Sequence, residues 1–356
     1  MYSTTDARPI PQRLLIVRLG ALGDVLHAMP AVRAIRANMP RCEIGWVVEE
    51  RWAELLCAIG TPRTGTVSEG RPLVERVHTV DTKGWRKSAL SPETWHKVYV
   101  AMREIRQCGY EVAVDFQGAV KSAILASLSG ADLIWGFAKP REYVARMLYS
   151  QAHPATGAHV VEQNLSLAAA LAGSPATETT PLLPHDAEAE KWAEQQIGEG
   201  ERFAILNPGA GWSAKQWPAE RYGEVARELA AEGIEPLVNF GPGEEAMARE
   251  TVLASRGTAR PLGATLAQLI AATRRAALLI GGDTGPMHLA AALRVPVVAL
   301  FGPTNPARNG PYGTQARILR SAQSTTSYSH AKKTDEGLLS ITPKEVMEAA
   351  HELLKD

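Results

Sequence analysis

Leu14-Leu15-Ile16-Val17 runs into Gly20-Ala21-Leu22-Gly23-Asp24, and Phe203-Ala204-Ile205-Leu206 runs into Asn207-Pro208-Gly209-Ala210-Gly211. Each is a short, unbroken apolar run followed by a glycine-rich turn. Such a run has no alternating polar side, so it suits a strand covered on both faces of a parallel sheet. Helix-period apolar residues follow both turns: Ala31, Val32 and Ile35 after the first, and Tyr222, Val225, Ala226 and Leu229 after the second. Two strand–turn–helix openings almost two hundred residues apart predict two α/β halves.

Further strands are predicted at Ile44–Val48, Val112–Phe116, Pro236–Phe240, Ala277–Ile280 and Pro296–Phe301, with helical stretches between most of them. This alternation predicts parallel sheets with right-handed crossovers. The turn- and proline-rich segment Ser174–Pro184 reads as a linker. One Rossmann-like domain is therefore expected over 1–175 and another over 185–356. Ser321–Gly337 reads as a loop. Pro343–Lys355 reads as a helix with proline near its start, expected to pack back on the first domain. A chain of 356 residues fits two domains at roughly 150 residues each.

The chain carries 38 Lys and Arg against 38 Asp and Glu, which argues against a broadly basic nucleic-acid binder. The balance is uneven along its length. Residues 1–175 hold 20 basic and 16 acidic residues, and the rest hold 18 and 22, so the first half is the one suited to an anionic partner. No apolar run approaches the roughly 18 residues of a membrane span, and the opening residues lack a signal-peptide pattern. Three cysteines, Cys42, Cys57 and Cys108, fit neither a zinc site nor a disulfide framework. A cytoplasmic protein without metal or other cofactor is expected.

Ile280-Gly281-Gly282-Asp283-Thr284-Gly285-Pro286-Met287-His288-Leu289-Ala290 follows a predicted strand and opens a helix, with Thr284 or Gly285 at its cap. The unpaired N–H groups of a helix start, with the helix dipole, attract an anion such as a diphosphate. His288, in the first turn, is placed to reach a phosphate or ribose, although a packed histidine explains it as well.

The same stretch through Ala292, followed by Val297-Val298-Ala299-Leu300-Phe301-Gly302-Pro303-Thr304, resembles the donor-site signature of glycosyltransferase family nine, the heptosyltransferases of lipopolysaccharide core assembly. Leu15-Ile16-Val17-Arg18 with Gly23-Asp24-Val25-Leu26-His27 resembles that family's amino-terminal signature. Trp46-Val47-Val48-Glu49-Glu50 and Asp115-Phe116-Gln117-Gly118 with Lys121-Ser122 resemble its heptosyltransferase I branch. Asn207-Pro208-Gly209-Ala210 with Lys215-Gln216-Trp217-Pro218 completes the set. The resemblance extends from about residue 13 to 313. It implies the GT-B fold and inverting, metal-independent transfer of L-glycero-D-manno-heptose from ADP-heptose to Kdo of the lipid A inner core.

The resemblance also implies roles. Asp24 is expected to be the general base; its bland alternative is a helix cap. Lys215 is expected to stabilise the departing diphosphate. Asp283, Thr284, Gly285 and His288, with the turn Gly209, Ala210 and Gly211, are expected to hold the donor, with Asp283 on a sugar hydroxyl. Glu244 or Glu245 is expected at the ribose, and Ala264 to Leu266 beside the adenine. Lys83, Arg86 and Lys87, around Trp85, are expected to meet the phosphates and carboxylates of the acceptor, joined by Gln117, Lys121, Arg141 and Arg146. A solvated loop is the plain reading of that cluster. Ile124–Ser129 lacks an acceptor-contacting arginine that the family pattern leads one to expect.

A lipid-anchored acceptor implies peripheral attachment of a monomer to the anionic inner face of the inner membrane. Three alternatives remain. One is the same fold with another nucleotide sugar or acceptor. Another is a non-catalytic lipooligosaccharide-binding protein, which the joint presence of Asp24, Lys215 and the donor loop disfavours. The third, a Rossmann dehydrogenase, is disfavoured because Gly20–Gly23 does not supply G-x-G-x-x-G.

Overall fold

The computed structural model describes residues 10–176, 180–197, 202–327 and 333–355. The chain divides into two compact units, Met1–Gly157 with Val161–Pro184 and Ala158–Val160 with His185–Asp356. In the first unit six parallel strands form one sheet: β1 (Arg13–Val17), β2 (Glu43–Glu49), β3 (Arg76–Val80), β4 (Val112–Asp115), β5 (Leu133–Phe137) and β6 (Gln151–His153). Their order is β3-β2-β1-β4-β5-β6. The second unit repeats the scheme with β7 (Phe203–Asn207), β8 (Glu235–Asn239), β9 (Arg260–Leu262), β10 (Leu278–Gly282), β11 (Val297–Phe301) and β12 (Ala316–Arg320). Its order, β12-β11-β10-β7-β8-β9, is the same topology.

The continuous apolar runs explain the centres of both sheets. Leu14 through Val17 and Ala204 through Leu206 are each 0% exposed, which requires cover on both faces. Burying a Val, Leu or Ile side chain contributes about 1.5–3 kcal/mol, so the central strands anchor each unit. In the first unit Met102 and Ile105 of the helix Pro92–Gln107 and Ala123 and Leu125 of the helix Val120–Leu128 join the core around Leu15 and Val17. In the second, Val225 and Leu229 of the helix Ala219–Ala231 and Val346 and Ala350 of the helix Pro343–Leu354 cover Leu206 and Ile280. That last helix, expected to return to the first domain, belongs to the second unit and packs against β10, β11 and β12. Thr342 caps it, accepting from the N–H of Glu345 at 3.3 Å. The loop expected over Ser321–Gly337 lies partly outside the described residues, and its end has already turned into the helix Glu336–Ser340.

This strand order places a switch point between β1 and β4 and another between β7 and β10. There the connections leave to opposite sides, and the loops at the carboxyl ends of the strands part to form a crevice. Val17 pairs with Asp115 and Asn207 with Gly281 at those ends. The topology therefore brings Arg18–Asp24 beside Phe116–Gly118, and Asn207–Lys215 beside Asp283–His288.

Candidate active site

At the first switch point Arg18 ends an apolar strand and is buried. A buried guanidinium needs acceptors, and the turn supplies them. Its Nη2 pairs with Asp24 Oδ1 at 2.8 Å, its Nε donates to the Asp24 carbonyl at 3.2 Å, and its Nη1 donates to the Phe116 carbonyl. The Arg18 carbonyl accepts from Trp46 Nε1 at 3.0 Å. Asp24 is not the cap of its helix. Ala21 holds the cap position, and Asp24 stands in the first turn of the helix Leu22–Asn38, with Oδ2 accepting from the Ala21 N–H at 3.0 Å. Its side chain is 39% exposed. The result is a carboxylate held from behind by a buried cation and open to solvent in front.

Gln117 joins this turn, its Oε1 accepting from the Leu19 N–H at 2.9 Å. The loop carrying it is fixed by Asp115, which accepts from the N–H groups of Gln117 and Gly118, from Ser122 Oγ at 2.9 Å and from the Tyr149 hydroxyl at 2.7 Å. Complete burial pushes the Asp115 carboxyl up from the usual range, and these donors oppose the shift. Lys121 approaches Glu49 Oε1 at 3.6 Å and Thr82 Oγ1 at 3.2 Å, so it is tied to the start of the helix Thr82–Lys87. Lys83, Arg86 and Lys87 lie exposed on that helix, and Arg141 is exposed as well. Arg146 donates instead to the Tyr149 carbonyl at 3.2 Å.

At the second switch point the geometry is tighter. Lys215 donates to Asp283 Oδ2 at 2.7 Å and to the Asp283 carbonyl at 3.1 Å, and its ammonium stands 4.7 Å above the Trp212 ring. His288 Nε2 contacts Asp283 Oδ1 at 3.1 Å. Burial opposes the charge of Asp283, but His288 and Lys215 together hold its carboxyl well below the usual carboxylate range. Both Asp283 oxygens are thus engaged, and its place is between two cationic-capable groups. Two of the three N–H donors of Lys215 go to Asp283, which leaves one for a ligand.

Thr284 caps the helix Gly285–Ala292. Its Oγ1 accepts from Asn207 Nδ2 at 3.1 Å, and Asn207 Oδ1 accepts from Asn239 Nδ2 at 2.7 Å. Asn207 Nδ2 also holds the Gly209 carbonyl at 3.0 Å. Gly282 allows the close approach of the Lys215 loop: a Cβ there would sit 3.1 Å from the Lys215 carbonyl oxygen. Ala210 is buried and accepts from Gln216 Nε2 at 3.1 Å, whereas Gly211 is exposed.

The two glutamates separate in space. Glu244 accepts from the Gly241 N–H at 2.8 Å and lies against Gly209, where a Cβ would meet its carboxyl carbon at 2.3 Å. Glu245 is exposed and turns back to the Gly243 N–H at 3.2 Å. Ala264 precedes Thr265, the cap of the helix Leu266–Arg275, on the loop after β9. Asn239 and Trp212 were not singled out in the sequence, and Asn207 entered only as part of a motif, with no role of its own. The signal for the two asparagines is an amide closing an otherwise apolar strand, since a buried amide at a strand's carboxyl end needs a partner. Among the described residues no three His, Cys, Asp or Glu side chains gather as a metal-ligand set.

The family model for glycosyltransferase family 9 (heptosyltransferase) matches residues 98–338. The chain is 30% identical over 311 residues to lipopolysaccharide heptosyltransferase 1 of Pseudomonas aeruginosa, covering 85% of this chain and 81% of that protein. It resembles the solved structure of the E. coli heptosyltransferase WaaC with ADP, at 25% identity and a TM-score of 0.77 over 96% of this chain and 99% of the other. The same E. coli protein with ADP-2-deoxy-2-fluoro heptose aligns at 26% identity and a TM-score of 0.75, with the same coverage. Two parallel Rossmann-like units, matched along almost their whole length by GT-B heptosyltransferases, together with the family match over most of the chain, establish that this chain is a glycosyltransferase and belongs to glycosyltransferase family 9, the heptosyltransferase family.

Proposed function

We propose that this chain transfers L-glycero-D-manno-heptose from ADP-heptose to Kdo of the lipid A inner core in lipopolysaccharide synthesis, with inversion at the sugar C1. The observation that carries the reading is the Lys215–Asp283–His288 cluster beside the start of the helix Gly285–Ala292. A fixed ammonium and a helix start suit the diphosphate of a nucleotide sugar. The solved relative bound to an ADP-heptose analogue supports ADP as the carrier.

In this reading Asp24 accepts the proton of the acceptor hydroxyl. The oxygen attacks C1 from the face opposite the diphosphate, the C1–O bond to phosphate breaks, and ADP leaves with the electron pair. The Arg18 guanidinium holds Asp24 aimed, its Nη2 paired with Oδ1 at 2.8 Å. Lys215 and the N–H groups near Thr284 and Gly285 offset the charge that grows on the leaving group, so the positive charge is supplied without a metal. Glu244, leaning on the donor-side loop, is the better placed of the two glutamates for ribose. Gln117, Lys121, Lys83, Arg86 and Lys87 receive the acceptor's anionic groups. The acceptor being lipid-anchored, the protein works as a peripheral, cytoplasmic-face enzyme.

ADP release measured with and without Kdo-lipid A tests the reading. Release that needs the acceptor supports transfer, whereas donor binding without turnover favours a binding protein. A second reading, the same chemistry on a different core acceptor, is favoured by the absence of arginine from Ile124–Ser129. A screen of nucleotide sugars and inner-core acceptors, with the product linkage determined, decides between them.

A further inference from the structure

We propose that the elbow formed by the helices Thr82–Lys87 and Pro92–Gln107 is the surface on which this protein rests against an anionic phospholipid bilayer. The proposal deepens the reading above and rests on it for the need to reach a lipid-anchored acceptor.

The elbow is apolar where nothing in its own unit covers it. Leu90, at the turn, is 99% exposed; Trp95 is 63% and Tyr99 61% exposed. Trp95 and Tyr99 stand four residues apart, one above the other on the same helix face. The indole Nε1 of Trp95 donates to the Ala89 carbonyl at 2.8 Å, which fixes the ring beside the turn that carries Leu90. The inward face of the same helix is already satisfied, with Met102 and Ile105 in the core and Val98 and Ala101 packed against it. The helix Pro92–Gln107 thus has two apolar sides, one buried and one outward. Tryptophan and tyrosine are the side chains that favour the boundary between lipid and water.

Charge selects the occupant. Exposed Lys83, Arg86 and Lys87 precede the turn and exposed Arg103 follows Tyr99 by one helical turn. Lys97 is paired with Glu93 at 2.7 Å, and Asp81 is occupied by the Gly84 N–H at 2.8 Å. From 81 to 104 the chain carries five cations, Lys83, Arg86, Lys87, Lys97 and Arg103, and three anions, Asp81, Glu93 and Glu104, of which Glu93 is paired with Lys97 and Glu104 meets His78. A second copy of this chain would bring like charges together on such a face, whereas each Lys or Arg near an anionic leaflet is worth about 1 kcal/mol. Among the described residues no helix is long and apolar enough to cross a membrane, so the elbow lies on the surface and does not span it.

Flotation of the full chain with vesicles tests this. Binding is expected to phosphatidylglycerol-containing phosphatidylethanolamine vesicles, to weaken in high salt, and to be lost on phosphatidylcholine alone. Leu90→Ser with Trp95→Ser and Tyr99→Ser should weaken binding about tenfold or more, with turnover on detergent-dispersed acceptor unchanged. Leu90→Ser alone, at a position open to solvent, keeps the test decisive should the triple variant fold poorly. Absence of binding to anionic vesicles, or variants that bind as the parent does, overturns the proposal. So does a concentration-dependent dimer in light scattering that the same variants abolish, since the face would then belong to a second copy. Vesicle binding with no ADP release on any acceptor defeats the functional reading and leaves the docking surface standing. Turnover in detergent without vesicle binding does the reverse.

Discussion

The two switch points share a strand order and each presents an aspartate, yet the two aspartates sit in opposite surroundings. Asp24 stands in a helix's first turn with 39% of its side chain open to solvent, and the cation that holds it, Arg18, is the buried partner. Asp283 is buried together with its partners, Lys215 and His288, which close on it from both sides. One arrangement leaves a carboxylate open to solvent. In the other a carboxylate fixes two groups that, in the proposed reading, meet the donor. Residue type and topology are the same; what differs is the exposure of the carboxylate, 39% for Asp24 against 6% for Asp283.

Replacing Asp24 is the most severe way to break the comparison. Asp24→Ala is expected to lower turnover by about 10²–10⁴ while leaving ADP-heptose affinity near that of the parent, checked by steady-state kinetics and calorimetry. Next, Asp283→Asn is expected to cost about 3 kcal/mol of stability, because it leaves a mostly buried ammonium short of its counter-charge; urea unfolding reads this, and donor binding should weaken with it. If the loss falls on turnover alone, Asp283 is acting on substrate and the contrast fails.

The same pair gives a pH dependence. Asp283 titrates lower in the fold than its ordinary value, so its contribution to stability is complete above about pH 4, the unfolded carboxyl range. It falls away as the pH drops below that. The acid-side slope of stability should therefore flatten in Asp283→Asn, measured by urea titrations between about pH 5 and 3. Exchanging Lys83, Arg86 and Lys87 together for alanine should raise the acceptor KM several-fold and leave donor affinity alone. The smallest effect is expected at Trp212. A cation–π contact is worth about 0.5–1 kcal/mol at such a site, so Trp212→Leu should lower kcat/KM by about two- to fivefold, with Trp212→Tyr restoring most of it.

Much of this was legible in the sequence for a definite reason. The central strands are continuous apolar runs, a pattern that arises only where a strand is covered on both faces. The outer strands lack it. Gln151-Ala152-His153 is three half-buried residues, Arg260-Pro261-Leu262 carries a proline that an outer position tolerates, and Ala316–Arg320 has no fully buried residue. At the site, Asp24, Lys215 and the loop around Asp283 stood out because glycines and motif spacing mark them. Their partnerships did not. Lys215 and Asp283 are 68 positions apart, and no local pattern records that pairing. Arg18 did leave a trace: an arginine ending an apolar strand calls for a nearby acid. Glu244 and Glu245 were inseparable until the backbone turned one toward Gly209 and the other toward Gly243.

The amide chain from Asn239 through Asn207 to Thr284 has a further consequence. None of its three side chains gains or loses a proton in the range where proteins survive. The turn that opens the helix Gly285–Ala292 is therefore moored to β7 and β8 by bonds indifferent to acidity, while Asp283, next to it in sequence, depends on charge. A carboxylate in place of either asparagine would make the mooring itself responsive to acid, so the choice of amide keeps the anchorage of this loop separate from the titration of the groups it carries.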